Sequence, residues 1–257
     1  MIQTTNLSKH FGKLRAVDEL NLEVKQGEFF AFLGPNAAGK TTTIKMLTGL
    51  LRPSSGCCSV CGYDLQKEPE AAKSVLSYVP DFPFLYDKLT AREFMVFVAE
   101  LFNVNRSEIP LRIEALFEKF GLDLYQNELT ENLSHGTRQR LAISAALLHD
   151  PRVLIIDEPM VGLDPMHARI VKDEFKERSR KGTTIFLSTH TLQIAEEMAD
   201  RIGIINHGRL IALGTVDELR RQAEETGALE RIFLALVDAE EILRDQRSAA
   251  AAAQSTS

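Results

Sequence analysis

Five consecutive apolar residues, Phe29-Phe30-Ala31-Phe32-Leu33, stand between polar segments and predict a strand buried on both faces. Beyond a glycine-containing stretch, Ile44, Leu47, Leu50 and Leu51 recur at helical spacing, which predicts a helix over residues 41–51. Short apolar runs return in the second half. Val153-Leu154-Ile155-Ile156 and Thr183-Thr184-Ile185-Phe186-Leu187 read as buried strands, and Arg201 to Asn206 and Arg209 to Leu213 as two strands around a His207-Gly208 turn. Leu20 to Val24 adds a further strand to a β-rich start.

The period changes at Thr90. Thr90 and Glu93 have the spacing of a capping box, and Phe94, Phe97, Val98, Leu101 and Phe102 follow at helical intervals. Ile113, Leu116, Phe117 and Phe120 repeat the pattern in a second helix. Both stripes are expected to face the core, making residues 90–150 a helical subdomain. Thr215 and Glu218 cap another helix, and residues 248–257, with five consecutive alanines, are too small and polar to pack and are expected to be disordered.

Composition narrows the class. With 257 residues and 44% hydrophobic content the chain can bury the core of one α/β domain with a smaller appendage. Its 36 acids against 30 bases, a net charge of −6, argue against nucleic acid as a partner. The sequence contains neither an apolar run long enough to span a bilayer nor an export signal, so a cytoplasmic location is expected. Cys57, Cys58 and Cys61 hold one C-x-x-C without a second pair, and read as small residues of a surface hairpin rather than a metal site.

Chemistry enters at Gly34-Pro35-Asn36-Ala37-Ala38-Gly39-Lys40-Thr41, a full match to the phosphate-binding pattern G-x-x-x-x-G-K-[ST] between a strand and a helix. Its glycines let the backbone amides and the helix start converge on phosphate oxygens. Lys40 supplies a cation for the β- and γ-phosphates, Thr41 a hydroxyl for Mg²⁺, and Thr42 continues the cradle. The strand at 153–156 ends in Asp157 and Glu158, at the edge where open α/β sheets bind ligands. Asp157 would hold Mg²⁺ and Glu158 would polarise water for in-line attack; because adjacent strand residues face opposite ways, the pair can divide these tasks.

Leu133-Ser134-His135-Gly136-Thr137, just before an apolar helix and about 20 residues ahead of the acidic pair, resembles the signature peptide of the ATP-binding cassette family, usually Leu-Ser-Gly-Gly-Gln. Ser134 and Gly136 match; His135 and Thr137 depart. Other stations of that family follow in order: Gly162-Leu163-Asp164-Pro165 resembles the loop that touches an opposing subunit, and His190 the switch histidine at the γ-phosphate. Phe11 stands where the family stacks an aromatic ring on adenine. Asp81, after Tyr78-Val79-Pro80, replaces the family's metal-contacting glutamine with a shorter, charged side chain, and is read either as a Mg²⁺ contact or as a turn residue.

The resemblance covers roughly residues 2–237. It implies a P-loop α/β fold with a mixed sheet, an N-terminal antiparallel β region and an inserted helical subdomain, divided as a cassette over 1–219, a helical extension over 220–247 and the tail. It also implies MgATP hydrolysis between paired subunits, identical or paralogous, with Ser134, Gly136 and Asp164 serving the partner's nucleotide. A separate membrane-spanning permease is the implied partner, placing the chain on the cytoplasmic face of the membrane, and export is the implied direction. The apolar loop Phe82-Pro83-Phe84-Leu85-Tyr86 is a candidate contact for that permease, with packing on the helical subdomain as its alternative. A non-transport ATPase of the same superfamily, acting on nucleic acid or ribosomes, is the competing function.

Overall fold

The burial on both faces that Phe29–Leu33 demands is met inside a six-stranded sheet. A computed structural model of the chain describes residues 1–223 and 229–239. β1 (Ile2–Phe11) and β2 (Leu14–Val24) form an antiparallel pair, followed by β3 (Phe29–Leu33), α1 (Lys40–Leu47), β4 (Ser55–Val60), β5 (Tyr63–Asp64), α2 (Pro69–Ser74) and β6 (Leu76–Val79). Three helices come next: α3 (Ala91–Leu101), α4 (Ile109–Phe120) and α5 (His135–Leu147). The chain then alternates through β7 (Val153–Asp157), α6 (Pro165–Arg180), β8 (Thr184–Thr189), α7 (Leu192–Met198) and β9 (Arg201–Asn206). β10 (Arg209–Gly214) and α8 (Val216–Gln222) follow, and residues 229–239 are helical.

A four-stranded antiparallel sheet runs β2-β1-β4-β5, and a second sheet runs β10-β9-β3-β8-β7-β6, parallel except for β10. This is the α/β fold with a mixed sheet, an antiparallel N-terminal region and inserted helices that the motifs implied. β3 shows why. Its side chains alternate between two covered faces: Phe30 and Phe32 pack with Phe186 at ring separations of 5.4 Å, against the first sheet and α1, while Ala31 and Leu33 pack beside Ile202 and Ile204 of the neighbouring β9, with Ala195 of α7. Register then does the functional work. Leu33 lies opposite Thr189 and Asp157 opposite Ser188, so the carboxyl ends of β3, β7 and β8 form one edge.

The inserted helices are joined to the sheet layer by apolar packing and by charge. Both halves of the Thr90–Glu93 capping box form, and α4 ends at Gly121 in the left-handed region, φ 62°. Glu174 of α6, buried, is paired with Lys119 of α4 and with Arg178, whose Nε donates at 2.7 Å. Asp150 accepts from Arg112 at 2.7 Å and Arg178 at 2.5 Å, tying the same two helices to the end of α5.

Several expectations are corrected. The first helix stops at Leu47 rather than continuing to residue 51, because Gly49 takes φ 69° and Leu50 swings out to solvent. β2 begins six residues before Leu20, and β8 runs on to Thr189. Phe94, Leu116, Phe117 and Phe120 are core, but Phe97 and Leu101 of the same stripes are exposed. A boundary after residue 219 would cut α8, where Leu219 is buried with Leu229 and Ile232. The cysteines do lie on a hairpin, β4–β5, although Cys58 is interior and burial pushes its thiol up to about 12. The tail expected over 248–257 lies outside the described residues.

Phe186→Ala removes one ring of a fully buried trio. It is expected to lower unfolding stability by about 3–5 kcal/mol, read as a fall in the urea midpoint; a loss below about 1 kcal/mol would mean that this face collapses around the gap.

Candidate active site

The phosphate loop is seated by backbone contacts that only glycine permits. A Cβ on Gly34 would lie 2.4 Å from the carbonyl oxygen of Ile205, and one on Gly39 2.5 Å from that of Ala16, with Gly39 at φ 109°. The β9–β10 turn braces the loop further: the Gly208 amide donates to the Ala38 carbonyl at 2.8 Å, and the Asp18 amide donates to the Gly208 carbonyl at 2.9 Å. Arg209 secures Asp18 through Nη2 at 2.6 Å. Sequence reading missed this brace: Asp18 is one of three acids in β2, with Glu19 and Glu23, and nothing in the pattern sets it apart.

Pressed from below, the loop turns Asn36, Ala37, Gly39, Lys40, Thr41 and Thr42 toward an open cleft of about 1450 Å³, while Gly34, Pro35 and Ala38 form its back. The N-cap of α1 is Gly39, without a side-chain cap and without an acid in the first turn, so the amides that begin the helix keep no side-chain acceptor. Lys40 Nζ donates to the carbonyls of Gly34 at 2.6 Å and Pro35 at 2.9 Å. Burial pushes its ammonium down from the usual lysine range, against the pull of Glu158 and Asp157.

Asp157 ends β7, buried, and accepts from the Thr41 hydroxyl at 3.3 Å. Burial pushes its carboxyl up, with the negative charges of Asp81 and Glu158 adding to the shift and the Thr41 bond opposing it. Among the described residues no group of three or more His, Cys, Asp or Glu forms a metal cage. A hydroxyl beside a buried carboxylate, facing a phosphate loop, nevertheless suits Mg²⁺, which keeps waters and substrate phosphates in its shell.

Glu158 does not continue the strand. It takes φ 48°, so the divergence of the two acids comes from a left-handed turn rather than from strand alternation. Its Oε1 accepts from the His190 amide at 2.7 Å and faces His190 Nδ1 at 2.6 Å, and Oε2 accepts from the Thr189 hydroxyl at 2.9 Å. Thr189 was missed by sequence reading. Asp81 lines the same cleft and also accepts from the Phe82 amide at 2.8 Å, so the cleft position and the turn position are one. Phe11, half exposed, forms the far wall with Leu14 and Arg15.

The structure thus brings Phe11, Asn36, Ala37, Gly39, Lys40, Thr41, Thr42, Asp81, Asp157, Glu158 and His190 to one cleft, and leaves Ser134, Gly136 and Asp164, like Gly34, Pro35 and Ala38 behind the loop, outside its lining. Ser134 caps α5 through the Thr137 amide at 3.3 Å. Gly136 lies where a Cβ would meet the Gly162 carbonyl at 2.6 Å, and Asp164 caps α6 and pairs with His167 Nδ1 at 2.5 Å. His135 does reach the cleft, its ring lying against Gly162 and 6.0 Å from that of Phe82.

Comparison with known proteins identifies the family. The family model described as ABC transporter matches residues 17–161. The chain is 38% identical over 219 residues to the linearmycin resistance ATP-binding protein LnrL of Bacillus subtilis (strain 168), covering 85% of this chain and 70% of that one. It is 38% identical over 226 residues to the bacitracin transport ATP-binding protein BcrA of Bacillus licheniformis, with coverages of 86% and 72%. A solved ATP-binding subunit of an ABC transporter superposes with a TM-score of 0.88 at 33% identity, over 92% of this chain and 99% of that one.

Asp157 yields a prediction of opposite signs. The unfolded carboxyl titrates near 3.8 and the folded one higher, so the ionised form costs stability, a cost that sets in as pH rises past the lower value and grows until the folded carboxyl has ionised. Asp157→Asn is therefore expected to raise the Tm of the ligand-free protein at pH 7, by about 2–4 °C for each kcal/mol relieved, while MgATP stabilises the variant less than wild type. Thermal unfolding with and without MgATP checks both; a lower ligand-free Tm would show that the carboxylate is structural.

Proposed function

The chain belongs to the ABC transporter family and is an ATPase, and from that premise we propose that it is the energising subunit of an exporter that carries its membrane-spanning part on another chain. The observation that carries this reading is the division of phosphate-binding features. One cleft gathers the loop, both acids and His190, whereas Ser134 and Gly136, a second helix start of phosphate-binding type, stand outside it. One triphosphate needs one cradle. The second therefore serves the nucleotide of a paired subunit, identical or paralogous, with Asp164 on the loop between them.

Within the site, Lys40 exchanges the Gly34 and Pro35 carbonyls for β- and γ-phosphate oxygens, and the amides at 40–42 complete the cradle. Thr41 and Asp157, with Asp81 at the cleft wall, would hold Mg²⁺, which when bound neutralises phosphate charge. Glu158 accepts a proton from water as the water oxygen bonds to the γ-phosphorus and the bond to the ADP oxygen breaks. His190, held to that carboxylate, fixes its orientation and faces the γ-phosphate. Phe11 stacks on adenine.

The partner side is supported by exposure. Phe82, Phe84 and Tyr86 are 68%, 84% and 53% exposed although Leu85 between them is buried, and Phe97, edge-on to Tyr86 at 5.1 Å, extends the patch onto α3. Among the described residues no helix is long and apolar enough to cross a membrane. A permease helix seated on this patch would hold the chain at the cytoplasmic face. The names of relatives, resistance to linearmycin and transport of bacitracin, favour an exported antibiotic-like cargo over a nucleic-acid or ribosomal role.

Glu158→Gln keeps the size of the side chain and removes the base. With MgATP it is expected to shift from monomer to dimer in light scattering, ADP giving no shift and added Ser134→Arg preventing it. Wild-type hydrolysis by Glu158→Gln would remove the proposed base. A variant that traps ATP and stays monomeric would assign the second cradle to a different cassette.

A further inference from the structure

The ring of Phe11 already has a cation at its face. Lys9 Nζ lies 5.3 Å from the ring centroid, two residues back on β1 and therefore on the same side of the strand. That ammonium is anchored: it donates to the Arg52 carbonyl at 2.7 Å, in the segment that follows α1. The end of β1 is bound to the same segment by the Ser54 amide, which donates to the Ser8 carbonyl at 2.8 Å, and by the His10 amide, which donates to the Ser54 hydroxyl at 3.0 Å. Lys9 is half-buried where Phe11 is 50% exposed, so its aliphatic stem packs while its head holds the ring.

Two consequences follow from the chemistry. An aromatic ring on a hairpin end, with Phe11 paired only to Leu14, has no packing of its own to fix its tilt, and a cation over one face supplies it. A cation on one face also draws the ring's negative quadrupole toward itself, leaving the opposite face better suited to the electron-rich surface of a purine. The Arg52 anchor in addition links the height of the ring to the segment after the helix that starts at Lys40, so base and phosphates are gripped at one spacing.

We infer that Lys9 is a positioning residue for the nucleotide base, bracing Phe11 from behind so that one ring face is presented to adenine. The inference rests on Phe11 being the base platform, and its test separates the two. Calorimetric binding of MgATP and of magnesium tripolyphosphate, which has no base, is compared across variants of the full chain. Lys9→Met, which keeps the stem and removes the charge, is expected to weaken ATP by about two- to fivefold, leaving tripolyphosphate affinity and kcat at wild-type values. Lys9→Arg is expected to retain wild-type affinity, and Lys9→Met added to Phe11→Ala to cause no further loss. Unchanged ATP binding in Lys9→Met, equal weakening of tripolyphosphate, or an effect that persists without the Phe11 ring would each overturn the brace. If Phe11→Ala itself binds ATP as wild type does, the platform reading fails and the brace falls with it.

Discussion

Two backbone carbonyls, those of Ala16 and Ile205, press against the phosphate loop from below, and the remainder of the site depends on where they leave it. The loop's glycines are usually explained by what approaches from above, the phosphates. Here the protein itself imposes a restriction, since a methyl group at either position would overlap a carbonyl oxygen. Because one carbonyl belongs to β2 in the antiparallel sheet and the other to β9 in the parallel sheet, the loop sits where the two sheets meet. That position puts the start of α1 beside the carboxyl edge made by β7 and β8.

The acids are held at that edge in unequal ways. Asp157 is the last residue of a fully buried strand and carries the cost of burial, offset locally by Thr41. Glu158, turned out by its left-handed backbone, has both oxygens engaged by the end of β8. A carboxylate oriented this firmly loses little freedom when a water molecule joins it, which is the form of preorganisation that makes a general base effective. Lys40 is held differently: two carbonyls occupy its donors, and in the proposed function phosphate oxygens, carrying full charge, would displace them.

Motif-bearing residues were legible because their patterns encode local geometry. The strand–loop–helix of 29–47, Asp157 at the end of β7 and the capping box at Thr90 each need only neighbours in sequence. Expectations failed where distant packing decided. Nothing local shows that Phe97 faces outward while Phe94 faces in, since both fit one helical stripe and only the position of the sheet separates them. The brace of Gly208 and Asp18 under the loop joins residues 190 positions apart and leaves no periodic trace, and Thr189 acquires its bond to Glu158 only through the pairing of β7 with β8. The turn that carries Glu158 off the strand was hidden for a related reason: its left-handed φ has no sequence marker when the residue is not glycine.

Departures from the family signature are explained by this same long-range packing. Thr137 is buried, its hydroxyl 2.8 Å from that of Ser134 and accepting from Arg140, whose guanidinium also reaches the carbonyls that end α4. His135, in place of glycine, lies on the bare face of Gly162 and beside Phe82, so three loops that follow β6, precede α5 and follow β7 meet at one imidazole. Gly162 must lack a side chain for that ring to fit, since a Cβ would stand 2.1 Å from His135 Cδ2. The substitution at 135 is thus matched by space at 162, and it joins the exposed aromatic patch to the helix start that carries Ser134.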